Sequence, residues 1–180
     1  MQTAVQMKPA ERPPTTKGKD KKGARRILVG VSDGRNRERI ARAVGDLGHE
    51  VVAMADGYHL TECLADGILS GKCDQRPSLI IVNPILPGCT GLSLLGGLRD
   101  LGWQTPVVFI IRGDDYRGRS QAWAKGVTGV FIEPFTDEEL RTFASLVLDP
   151  DVSRAINDAR GLECETPWSF PEGTNPGLSL

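Results

Sequence analysis

Six residues, each at the end of a short apolar run, decide what chemistry this chain could do. Ser32 and Asp33 follow RILVGV, Asn83 follows LIIV, Ile111 and Arg112 close VVFII, and Glu133 follows the run from Val127 to Ile132. Asp33 could ligate a hard cation or accept a transferred group as a nucleophile. The same residue is also a turn and helix-capping type, and its place before the segment Arg35 to Asp46 favours that reading over metal ligation. Asn83 carries an amide, which is neither anionic nor a competent phosphoryl nucleophile, so it reads as a structural hydrogen-bonder. Ser32 has no general base close by, and Ile111 has no donor. Glu133 either pairs with Arg112 across two strand ends or faces water.

Other candidate signals are weaker. Gly88, Gly91 and Gly96 could suggest a phosphate cradle, but loop geometry accounts for the first two. Cys63, Cys73, Cys89 and Cys164 lie 10, 16 and 75 residues apart, without a CxxC pair and with only His49 and His59 to assist. They read as reduced thiols, and no metal site or cofactor is expected.

The elements that must position these residues alternate in period. Arg26 to Val31, Glu50 to Ala55, Leu79 to Val82, Val107 to Ile111 and Val127 to Ile132 read as strands. The third is apolar on both faces, as a central parallel strand is. Between them apolar residues recur at helical spacing: Ile40, Ala41, Val44 and Leu47, then Leu60, Cys63, Leu64 and Ile68, then Leu92, Leu95 and Leu98. A polar loop from Arg112 to Arg117 and a helix from Ser120 to Lys125 follow. Thr136-Asp137-Glu138-Glu139 caps the last helix, with Leu140, Phe143 and Leu146 or Val147 inward. Five strands alternating with five helices predict a flavodoxin-like three-layer α/β fold, a five-stranded parallel sheet in the order 2-1-3-4-5. In such sheets the functional crevice lies beyond the carboxyl ends of the strands.

From Arg25 to Leu148 the chain resembles the receiver domains of two-component response regulators. The resemblance is carried in order by ILVGVSD, PSLIIVNPILPGCTGLSLL, TPVVFII and GVTGVFIEPFTDEEL. It implies a phosphoryl-accepting aspartate at the end of the third strand, an acidic pair that holds magnesium after the first, a hydroxyl after the fourth and a lysine after the fifth. The corresponding positions here are Asn83, Val31 and Ser32 with Asp33 one step later, Ile111, and Glu133. Val130 stands at the aromatic switch position, and strand alternation sends Phe131 to the opposite face. The resemblance also implies a cis bond at Glu133-Pro134.

The 180 residues carry 22 bases and 23 acids, a net charge of -1. Residues 1–26 hold eight bases against two acids, a local net of +6, which leaves -7 on residues 27–180. Residues 1–24 therefore read as a disordered basic arm, residues 25–149 as the receiver-like domain, and residues 150–180 as a tail, partly helical from Val152 to Ala159 and then rich in Pro and Gly. No stretch approaches the ~18 apolar residues of a membrane helix, and the start lacks a secretory signal. A cytoplasmic location without membrane insertion is expected. The arm holds no aromatic residue and no base-reading fold, so nucleic acid is not an expected partner.

Contact surfaces are the remaining candidates. Trp123 should point outward from the fourth helix, on the face made with the fifth strand and fifth helix, and a homodimer or a partner protein could use that face. Arg35, Arg37, Arg39 and Arg42 crowd the start of the first helix, where cations oppose the helix dipole. Trp168 and Phe170 form a short apolar motif in the tail. The expectation is a phosphorylation-independent pseudo-receiver, not an enzyme, that contacts other signalling proteins. The alternative is a phosphoryl-accepting or small-ligand-sensing receiver built on a shifted constellation around Asp33.

Overall fold

The computed structural model describes residues 24–69, 76–113, 116–152 and 154–155. The basic arm, Cys73, Cys164, Trp168, Phe170 and most of the tail lie outside them. Within the described residues the chain runs β1 (Arg26–Gly30), α1 (Gly34–Gly45), β2 (Glu50–Met54), α2 (Gly57–Leu69), β3 (Leu79–Val82), β4 (Ile85–Leu86), β5 (Cys89–Thr90), α3 (Gly91–Asp100), β6 (Val107–Arg112), α4 (Tyr116–Ala124), β7 (Gly129–Glu133) and α5 (Asp137–Leu148). Residues 150–152 and 154–155 are also helical.

Five strands form one parallel sheet in the order β2-β1-β3-β6-β7, which is the expected 2-1-3-4-5 once the small antiparallel hairpin β4-β5 is set aside. Alternation along the strands divides the core into two layers. Leu28, Ile80, Val82, Phe109 and Ile111 meet α2, α3 and α4 through Leu60, Leu95, Leu98 and Ala122. On the other face Ile27, Val29, Ile81, Val108 and Ile110 meet α1 and α5 through Ile40, Val44, Leu140 and Val147. Val130 packs with the first layer and Phe131 with the second, as strand alternation requires.

Two elements depart from the sequence reading by more than one residue. The fourth helix begins at Tyr116 rather than Ser120, because Gly118 lowers the local helix propensity without preventing the turn that the fold imposes. The last strand is shifted to Gly129–Glu133, so Glu133 lies within the ladder, paired in register with Arg112. The β4-β5 hairpin is an addition to the five strands expected from the sequence. It is fixed at its turn, where Gly88 takes φ 86° and the ring of Tyr58 fills the space a side chain would need. The Gly57 amide donates to the Pro87 carbonyl at 2.8 Å and ties this turn to α2.

Capping follows the sequence where it can be read locally. Thr136 and Glu139 form a reciprocal capping box on α5, and Thr90 accepts from the Ser93 amide at the start of α3. Three aromatic rings, Phe131, Phe135 and Phe143, meet edge to face beside α5. The Arg39 guanidinium lies 4.5 Å from the Phe135 ring centre and pairs with Asp137 at 2.7 Å, clamping α1 to α5.

At the amino end of the sheet the Arg25 amide donates to His49 Nδ1 at 3.4 Å. Partial burial, and next the Arg25 charge, hold the His49 imidazole below its usual 6.5. The folded state thus favours neutral His49, so its contribution is present above pH 6.5 and is lost as pH falls from 6.5 toward the folded value. Urea midpoints measured across that window should decline, and His49→Gln should remove part of the decline. An unchanged slope in the variant would show that His49 is not its source.

Candidate functional site

Beyond the carboxyl ends of β1, β3, β6 and β7 lies a cavity of about 250 Å³, lined among others by Ser32, Asp33, Asn36, Asn83, Arg112 and Glu133. The parallel ladder puts it there: Gly30 is in register with Val82, and Arg112 with Glu133. The topology therefore gathers residues as far apart as Ser32 and Glu133 into one site.

Asn83 is the brace of that site. Its Oδ1 accepts from the Ser32 amide at 3.1 Å and its Nδ2 donates to the Ile110 carbonyl at 2.9 Å, so one side chain ties the ends of β1, β3 and β6 together. Close beneath it, a Cβ on Gly91 would stand 2.8 Å from the Asn83 carbonyl oxygen. Gly91 is thus required by close backbone approach and not by a phosphate.

Asp33 caps α1, its Oδ1 accepting from the Asn36 amide at 2.9 Å. Asn36, which the sequence reading did not single out, turns its side chain to Glu133: Nδ2 donates to Oε1 at 2.9 Å. The far oxygens of both acids face Arg112. Its Nε lies 3.2 Å from Glu133 Oε2 and its Nη2 lies 3.6 Å from Asp33 Oδ2. Of the two readings left open for Glu133, the structure shows the pair with Arg112. Asn36 sits three residues after Asp33, a local signal for the cap. Nothing local could have pointed from Asn36 to a carboxylate 97 residues away.

The remaining sequence candidates are placed as follows. Ile111 is buried against the α3 side of the sheet and presents no polar group. Ser32 is exposed, with its backbone in use. Glu133-Pro134 is cis. Trp123 is 50% exposed on α4. Arg37 donates to the Val31 and Ser32 carbonyls and Arg39 clamps α5, so two of the four crowded arginines hold the β1–α1 turn and the α1–α5 contact. Cys63 and Cys89 are free thiols whose pKa burial pushes up.

No protein-family model matches the chain. Over 123 residues it is 24% identical to the two-component response regulator PhoP of Pseudomonas aeruginosa, covering 68% of this chain and 51% of that protein. Over 115 residues it is 26% identical to response regulator MprA of a Mycobacterium species, covering 64% and 46%. The chain thus spans about half the length of these curated relatives. The receiver domain of NtrX from Brucella abortus matches with a TM-score of 0.56 at 26% identity, covering 69% of this chain and 98% of that one. The chemotaxis response regulator CheY4 of Vibrio cholerae matches with a TM-score of 0.55 at 21% identity over the same shares.

The domain has the receiver fold of response regulators. Within this receiver fold, the residues present do not fit the divalent cation that the resemblance implies. Such an ion takes six or more oxygen ligands, from carboxylates, carbonyls and water. Here the free oxygens of Asp33 and Glu133 are already matched to a guanidinium, and Asn83 Oδ1 is engaged by the Ser32 amide. No helix among the described residues is long and apolar enough to cross a membrane.

Proposed function

We propose that this domain is a phosphorylation-independent pseudo-receiver, a signalling or scaffold module in the cytoplasm that acts through protein contacts and not as an enzyme. The observation that carries the reading is Asn83. At the position of the phosphoryl acceptor stands an amide whose donor and acceptor are both committed to the neighbouring strand ends. Around it one guanidinium serves two carboxylates, so the far oxygen of each acid already faces a cation while the three groups together keep a net charge of -1.

The contact surface in this reading is the free edge of β7 with α4 and α5 on either side. Among the described residues β7 pairs with β6 alone and is an edge strand of the sheet. Trp123 on α4, Ile132 on β7 and Leu146 on α5 are all exposed. Partner signalling proteins or a second copy of the chain would bury them, with Trp123 the expected anchor.

The reading is tested by an amide NMR titration with magnesium and beryllium fluoride, the mimic of a phosphorylated aspartate. No saturable shift is expected at Asp33, Asn83 or Glu133. Saturable shifts that spread from these residues to α4 would overturn the reading and restore a phosphoryl switch.

A further inference from the structure

The two carboxylates of the pocket are arranged with a regularity that the preceding reading does not itself require. Each has one oxygen fixed by Asn36, Asp33 Oδ1 by its backbone amide and Glu133 Oε1 by its side-chain amide. Each turns its other oxygen toward the same guanidinium. Orientation by Asn36 does not depend on Arg112, so the two acids remain aimed at a common point if the guanidinium leaves. The register of β6 against β7 sets Arg112 directly beside Glu133, which delivers the guanidinium to that point.

We infer that Asp33 and Glu133 form a two-carboxylate cation site whose resident occupant is the Arg112 guanidinium, and that this tethered cation is what excludes a soluble divalent ion. The inference rests on the pseudo-receiver reading and deepens it by naming the group that fixes the pocket in one state. The Arg112 side chain is 69% exposed, so each of its ion pairs is weak taken alone. What keeps the site occupied is the tether, which holds the guanidinium at high effective concentration beside its partners. A divalent ion entering the wild-type pocket would sit against that positive charge. Without Arg112 the same ion would meet two preoriented carboxylates and complete its shell with water, as weakly held cations do.

The test is manganese-induced broadening of amide resonances in the full chain, with magnesium as the diamagnetic competitor. Arg112→Ala should show broadening centred on Asp33, Asn36 and Glu133, half-maximal on the order of 1 mM and reversed by magnesium. Wild type and Arg112→Lys, which keep a cation in reach, should need about tenfold more manganese or show no localised effect. Arg112→Ala combined with Glu133→Gln should lose the site again. The exposure of Arg112 makes these variants safe for folding, and amide dispersion checks it directly. Equal broadening in wild type and Arg112→Ala, or none localised in Arg112→Ala, would overturn the inference. Neither result touches the pseudo-receiver reading, which falls only if the wild-type chain responds to the phosphoryl mimic.

Discussion

Phe109→Ala should destabilise the domain by about 3–5 kcal/mol, the range for removing a large ring from a core that cannot fully collapse around the loss. Phe109 is fully buried at the middle of β6, one of three central strands of the sheet. It belongs to the layer shared with α3, and its ring edge lies 3.2 Å from the place a Cβ on Gly91 would take. The void would therefore open under the first turn of α3, beside the backbone that carries Asn83. Leucine at the same position keeps much of the volume and should lose well under half as much. Urea unfolding followed by tryptophan fluorescence measures both. A loss below about 1 kcal/mol for the alanine variant would mean the ring is not packed as described.

The second large effect concerns an acidic substitution at the brace of the site. Asn83→Asp should not create a phosphoryl acceptor; it should destabilise the fold by about 2–3 kcal/mol at neutral pH, the penalty for a charged group facing an unmatched partner. An aspartate keeps the acceptor for the Ser32 amide. Its second oxygen, however, would replace the Nδ2 that now donates to the Ile110 carbonyl at 2.9 Å, setting acceptor against acceptor. The new anion would also join Asp33 and Glu133 in a pocket with a single guanidinium between them. Chemical unfolding of Asn83→Asp against wild type gives the stability change. Intact mass after incubation with a small phosphodonor gives the chemistry. An Asn83→Asp variant as stable as wild type would show that Arg112 can swing to serve the third carboxylate, and that the brace is dispensable.

The two effects differ in kind. The first removes contacts from a layer that any apolar ring of similar shape could fill. The second disturbs a polar network in which each donor has one acceptor, so a change of a single atom type propagates to the ends of three strands.

Much of this molecule was legible in the sequence because the signals are local and periodic. Apolar runs of β-branched residues separated by helical spacing fix five strands, five helices and their parallel order, since short connections leave few ways to wrap the sheet. The capping box at Thr136 and Glu139 is written in four consecutive residues, and the cap at Asp33 in its place before a helical period. That Asn83 and Ile111 line the crevice could also be read, because strand ends mark it.

What the sequence left open were partners far apart along the chain. Whether Glu133 faces water or a cation depends on the register of β7 against β6, which a shift of one residue would reverse. The link from Asn36 to Glu133 exists only because α1 starts where β7 ends. The hairpin at Ile85 to Thr90 escaped notice because two-residue strands carry no period, and Tyr58 covers its turn from another element. The sequence by itself determined the layers, the strand order and the presence of an amide, Asn83, at the third strand end, since each follows from residue type and local spacing. Only the tertiary structure decided that the remaining charges pair among themselves, because the strength and sign of a charge's surroundings are set by distance in space and not along the chain.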